Sequence, residues 1–258
     1  MPTGAVTEYI DVAQIALYAF WIFFAGLIYY LRREDKREGY PLESDRSGVV
    51  RVQGWPAIPR PKTFLLRDGT VCTAPRPAAP RTEIRASPVG KWLGAPLEPT
   101  GDPMQDAVGP AAYADRADVP DLTLDGLPRI VPLRAARDFT IESRDPDPRG
   151  MPVIGADGEI GGIVRDAWVD RTETILRYLE VEVTGPAGVR QVLLPINFTK
   201  ISGRRGQVKV RSILGRQFAD VPGLAQTEQV TLREEDRIAA YYASGTLYAT
   251  PSRLGPLV

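Results

Sequence analysis

The chain has 258 residues, 32 Lys or Arg against 32 Asp or Glu, a single cysteine and no histidine. Balanced charge removes the electrostatic case for a nucleic-acid partner, and the lone Cys72 excludes an intrachain disulfide or a Cys-rich zinc site. Without histidine there is no Ser-His-Asp or Cys-His nucleophile, no imidazole metal ligand and no ordinary neutral-pH switch.

Residues 1–11 form a short N-terminal segment. After it, residues 12–31 (VAQIALYAFWIFFAGLIYYL) carry no formal charge, and Gln14 is their only strongly polar side chain. A helix of about twenty residues is roughly 30 Å long, the thickness of a bilayer's hydrocarbon core. Apolar side chains occupy every face, so this is no amphipathic surface helix. A cleaved signal peptide fits poorly, because residues 1–11 lack Lys and Arg and no small-x-small site follows. Asp11 and Gln14 read as an N-cap with its N3 partner. Arg32, Arg33, Lys36 and Arg37 follow at once, and this bias places the N-terminus outside and the remaining chain in the cytoplasm. Tyr9, Tyr29 and Tyr30 suit the two interfaces; Trp21 lies deeper and suits a partner. Residues 12–37 are therefore read as a membrane helix with a cytoplasmic extension, stopped by Gly39 and Pro41.

From 38 to 150 the composition changes, and seventeen of the 24 prolines fall here. Residues 63–66 and 70–73 read as short strands joined by an Asp68-Gly69 turn. The rest is extended, Pro-punctuated chain with spaced aromatics such as Trp55, Phe64, Trp92 and Tyr113. That pattern suits an arm lying across another protein's surface.

Residues 151–230 read as a small β domain. Strands are expected at 152–154, 160–164, 178–183, 192–194 and 208–210, with Ala156-Asp157-Gly158 as a turn. In 178–183, Leu179, Val181 and Val183 alternate with Tyr178, Glu180 and Glu182, the pattern of a strand with one buried face. Several short strands at this spacing suit a small barrel, which buries its edges. In the last segment, 231–258, Thr231-Leu232-Arg233-Glu234 is a capping box. It predicts a helix over 232–244, with Gly245 as its C′ residue and a surface tail beyond.

No Walker loop, dinucleotide fingerprint or GxSxG is present. Asp145 and Asp147 lack the Gly and Glu of a calcium loop and read as a solvated turn. Arg204-Arg205 reads as a hairpin tip, with phosphate or lipid headgroups as the functional alternative. Carboxylates are the polar groups of interest. Asp166, Asp170 and Glu173 fall within eight residues of one another, near Arg165, Arg171 and Arg177, and Asp118, Asp121 and Asp125 form a second group. They are either solvated loops balanced by arginine or close acids with coupled titration, one keeping a proton near neutral pH.

Several stretches carry a resemblance. RREDKREGYPLE after the membrane helix, PKTF, PTGDPM, GPAAYADR, RIVPLRAARDF, DPRGMPV, DAWVD, RYLEVEV, TLREEDRIAAYYASG and LYATP resemble, in order and across essentially the whole chain, the H subunit of the purple-bacterial photosynthetic reaction centre. The resemblance implies one transmembrane helix, a mainly β cytoplasmic domain with a small PRC-type barrel, and a short C-terminal helix. It implies a non-catalytic subunit of the bacterial inner membrane that binds no cofactor itself. Bacteriochlorophyll, bacteriopheophytin, quinones and non-haem iron are expected in the L and M partner subunits, with light-harvesting antenna and membrane lipids around them. It implies that Asp170 and Glu173 belong to a proton route toward the secondary quinone, with Asp125 or Asp121 at the entrance and Glu235 nearby. Relatives that place histidines at the entrance bind transition metals there; this chain has none, so metal binding does not carry over.

Two other classes compete with this reading. A membrane-tethered adaptor would use the barrel to bind another protein or RNA, and a basic stripe with aromatics would mark the RNA case. A membrane enzyme would need nucleophile–base pairs that the chain lacks. Copurification with bacteriochlorophyll and quinone separates the first reading from both.

Overall fold

The computed structural model describes residues 11–40, 54–67, 69–75, 84–92, 94–186 and 188–254, so the expectations at Tyr9, Pro41 and Asp68 lie outside the described residues. The chain divides into two compact units, residues 1–83 with 90–96, and residues 84–89 with 97–258.

In the first unit, α1 (Val12–Glu34) starts at the expected cap. The Gln14 amide donates to Asp11 Oδ1 at 2.7 Å, and the Asp11 amide donates to Gln14 Oε1 at 3.3 Å. A 3₁₀ turn, Asp35–Arg37, extends it, and Gly39 then takes φ +73°, a left-handed value that ends helices cheaply. No residue of α1 is buried, and the large apolar Trp21, Ile22 and Phe23 are more than half exposed. A helix this long and apolar can cross a membrane, and one such helix near the N-terminus followed by a folded polar domain fits a single-pass membrane protein. Arg37 ties the helix end to its own unit. Its guanidinium donates to both Glu34 oxygens at 2.7 and 2.9 Å and to the carbonyls of Arg60 and Ala74. Strands β1 (Lys62–Leu65) and β2 (Val71–Ala74) form the expected hairpin.

The second unit opens with a two-stranded sheet of β3 (Ala86–Pro88) and β4 (Leu97–Pro99). Among the described residues its main sheet has seven strands: β5 (Ile130–Pro132), β6 (Pro152–Ile154), β7 (Ile160–Asp170), β8 (Ile175–Gly185), β9 (Gly188–Pro195), β10 (Thr199–Ser202) and β11 (Gln207–Val210). The order is β10-β11-β6-β7-β8-β9, curled into a half-barrel. On one edge of β7, β6 pairs with the first half and β5 with the second. Helix α2 (Leu232–Tyr248) covers the sheet and buries Ile238, Tyr241 and Tyr242, each worth about 1.5–3 kcal/mol of removed apolar surface.

Three expectations change. The Pro-rich segment is not one wrapping arm. Met104, Val108, Ala111, Val131 and Leu133 are buried, several of them in the half-barrel's own core, because their apolar side chains find cover there. Strand β8 does not have one wet face, since Tyr178 and Glu180 are buried along with Leu179 and Val181. Finally, α2 runs through Gly245 to Tyr248. A Cβ at Gly245 would lie 2.5 Å from the Ser212 carbonyl oxygen and from Ile213 Cγ2, so this glycine permits close helix–sheet approach rather than a cap.

Candidate functional site

The acids singled out by the sequence meet at an arginine that it did not single out. Residues 121–129 close a short loop: the Arg129 amide donates to the Asp121 carbonyl, and Leu122 bridges to Pro128. Arg129 thus stands beside Asp121, one residue before β5, whose pairing with β7 delivers Asp170 to it. The guanidinium donates from Nε to Asp170 Oδ1 at 3.0 Å, from Nη1 to Asp121 Oδ2 at 3.1 Å and from Nη2 to Glu173 Oε1 at 2.7 Å. Arg177 adds a bond to Glu173 Oε2 at 3.1 Å and longer contacts of 3.4 Å to Asp170 Oδ2. Exposure grades across the group: the Asp121 and Glu173 side chains are 43% and 47% exposed, and that of Asp170 is fully enclosed.

Local backbone geometry prepares Asp170 for a charge. Its Oδ1 accepts the amides of Thr172 and Glu173 at 2.9 and 3.0 Å, in the tight β7–β8 connection that Thr174 completes at φ +57°. Burial pushes the Asp170 carboxyl up, but the Arg129 hydrogen bond and the two amides outweigh it, and the group ends below the usual aspartate value. The same contact with Asp170, joined by Asp121 and Glu173, raises Arg129. The expectation that the Asp170–Glu173 pair holds a proton therefore does not fit the geometry at Asp170.

Glu235 behaves oppositely. It sits in the first turn of α2, which the Thr231–Glu234 box fixes: the Glu234 amide donates to Thr231 Oγ1, and the Thr231 amide donates to Glu234 Oε2 at 2.8 Å. Tyr178 on β8 donates its hydroxyl to Glu235 Oε2 at 2.7 Å. Burial raises the Glu235 carboxyl above the ordinary glutamate value, and this outweighs the lowering by Tyr178 and the neighbouring Arg116 and Arg177. Tyr178 is raised in turn by its own burial and by the facing carboxylate.

The second expected acid group does not assemble. Asp121 joins Arg129, whereas Asp118 accepts from Thr231 Oγ1 at 2.8 Å and helps to anchor the start of α2. Asp125 is exposed at the tip of the 121–129 loop and makes no hydrogen bond or ion pair among the described residues. Asp166 separates from Asp170 and Glu173. It and Glu180 are both buried on Arg134, whose Nη1 donates to Asp166 Oδ2 at 3.2 Å and to Glu180 Oε2 at 2.7 Å, while the Trp168 indole donates to Glu180 at 2.8 Å. Arg171, expected beside the acids, contributes only its backbone amide, donated to the Arg129 carbonyl. Asp147 is held by Arg149 and lies in a solvated turn.

Sequence reasoning missed Arg129, Arg134 and Tyr178. Arg129 and Arg134 flank the apolar run Ile130–Pro132, and a charge at each end of a short buried strand is the one signal that pointed to them. Among the described residues no group of three His, Cys, Asp or Glu has the arrangement of a metal site. The arrangement instead offers carboxylates graded from solvent to interior, one strongly neutralised and one holding its proton to higher pH.

Two family models match the chain. The photosynthetic reaction centre H-chain N-terminal region matches residues 4–135, just over half of the 258 residues, and the PRC-barrel domain matches residues 141–215. The second span covers β6 to β11, the body of the half-barrel, and the first holds α1, the 121–129 loop and β5. The chain belongs to the photosynthetic reaction-centre H-chain family.

Proposed function

We propose that this H-chain caps the cytoplasmic face of the pigment-binding L and M subunits, stabilises their assembly and conducts protons toward the secondary quinone, with no catalysis of its own. Its N-terminus lies in the periplasm and its second unit in the cytoplasm, an orientation that rests on the arginines and lysines after α1. Bacteriochlorophyll, bacteriopheophytin, quinones and non-haem iron belong to the partners, with antenna and lipids around α1.

The observation that carries the proton-conducting part is the Arg129 hub. It brings Asp121, Asp170 and Glu173 together from sequence separations of 8, 41 and 44 residues. Asp125, Asp121 and Glu173 meet solvent, Asp170 lies enclosed behind them, and Glu235 with Tyr178 is a proton-holding neighbour. Leu122, Leu124 and Leu127 on the same loop are 52%, 86% and 52% exposed, apolar surface that suits cover by a partner.

The test is flash-induced proton uptake and second-electron transfer to the quinone in the intact complex. Glu173→Gln should slow both, and Glu173→Gln with Asp170→Asn should slow them further, while primary photochemistry and assembly stay normal. Unchanged rates in an intact double variant would leave the hub as a structural clamp.

A further inference from the structure

The cations of β10 and β11 stand apart from every acid described above. No Asp or Glu lies between Glu182 and Asp220, although the chain as a whole is neutral. A groove of about 470 Å³ beside this hairpin is lined by Lys200, Lys209, Arg211, Ser212, Thr246 and Arg253, with no carboxylate in its wall. Lys200 and Lys209 are direct cross-strand partners, an arrangement in which like charges repel. Neither lysine, nor Arg211, has an ion pair among the described residues. Arg253 is tied down without being neutralised: its guanidinium donates to the carbonyls of Ser212 at 2.6 Å, of Arg211 at 3.0 Å and of Gly245.

We infer that this groove binds a phosphate-type oxyanion. Lys200, Lys209 and Arg211 supply the charge. Such a ligand turns a repelling lysine pair into a clamp and neutralises cations that no carboxylate meets. The ammonium groups treat phosphate as a point charge, so they do not distinguish a free phosphate from the phosphodiester of a lipid headgroup. The hairpin tip, Arg204-Arg205, is exposed at the far end of the same two strands and extends the positive surface.

The experiment is acylation footprinting of the lysines in the complete chain in neutral detergent, read by mass spectrometry. Inorganic phosphate is compared with sodium chloride at equal ionic strength, and, in a separate arm, with dihexanoyl phosphatidylglycerol below its micellar concentration. At a ligand concentration about ten times its dissociation constant, Lys200 and Lys209 should react roughly tenfold more slowly, while the exposed Lys62 and Lys91 should not change. Lys209→Gln should cut the protection of Lys200 several-fold, with the fold intact by circular dichroism. Protection by phosphate alone identifies a free anion; protection by the lipid alone, or by both, identifies a headgroup site. Equal reaction in chloride and in both phosphorus ligands overturns the inference. So does full protection of both lysines in the anion-free reaction-centre complex that is absent from the isolated chain, because a partner's acids then fill the groove.

Discussion

Asp170, enclosed at the end of β7, and Glu235, partly buried at the start of α2, are both carboxylates shielded from water, yet their titrations move in opposite directions. Each is pushed up by burial, and the difference lies in what faces it. Asp170 meets the Arg129 guanidinium and two backbone amides; Glu235 meets one neutral hydroxyl. Counter-charge within hydrogen-bond reach holds Asp170 ionised against its burial, and Glu235 has none to offset its own.

The largest expected effect comes from removing that counter-charge. Arg129→Gln leaves the enclosed Asp170 with the longer Arg177 contacts and frees Glu173 and Asp121. At neutral pH it should cost about 3 kcal/mol, the lower end of what breaking a buried ion pair costs, because Arg177 remains. The cost should shrink in acid. Asp170's folded value lies below its unfolded one, so its stabilisation is complete above the ordinary aspartate value and is lost as pH falls through the depressed one. Denaturant midpoints of wild type and variant should therefore converge at low pH, and parallel curves would detach Asp170 from Arg129.

Swapping the acids themselves should give slopes of opposite sign. Asp170→Asn should lose about 2 kcal/mol at neutral pH and flatten the acid limb of the stability curve. Glu235→Gln should act on the other side. Glu235's folded value is raised, so its contribution is present below the ordinary glutamate value and is lost as pH rises through the raised one. Relative to wild type, Glu235→Gln should gain stability as pH rises through that window. Thermal melts across pH on both variants check the pair, and slopes of the same sign would void the contrast.

What the sequence disclosed and what it withheld follow the range of the interactions. The Asp11–Gln14 cap, α1 and the Thr231–Glu234 box are written in neighbouring residues, and the structure has each where local spacing puts it. The alternation in β8 was visible, but the burial of Tyr178 and Glu180 was not, because their cover comes from segments far along the chain. The Arg129 contacts with Asp170 and Glu173 depend on the β5–β7 pairing, and no local pattern announces that register. Arg171 was nearer in sequence than Arg177, yet it is Arg177 that turns its side chain to the acids. Gly245 misled for the same reason: its role is set by Ser212 and Ile213 across the interface, not by the helix it sits in.

The smallest expected effect separates geometry from charge most cleanly. Tyr178→Phe removes one hydroxyl and keeps the ring that β8 buries, so packing should survive. The hydroxyl donates to Glu235 and favours its charged form, so its loss should raise the carboxyl further. Above the wild-type Glu235 value the variant should lose about 1 kcal/mol, the net worth of one hydrogen bond to a charged acceptor that stays partly solvated. Below the ordinary glutamate value, where Glu235 is protonated in both proteins, the two should differ less. Asp170 should not respond, because its partners are Arg129, Arg177 and the backbone. The measurement is carboxyl titration by infrared difference spectroscopy, with isotope-edited glutamate to distinguish Glu235 from the aspartates. An upward move of the glutamate signal with the aspartate signals fixed supports two independently set acids. Movement of both would mean that Tyr178 belongs to the Arg129 hub, and that the two carboxylates titrate as one coupled group.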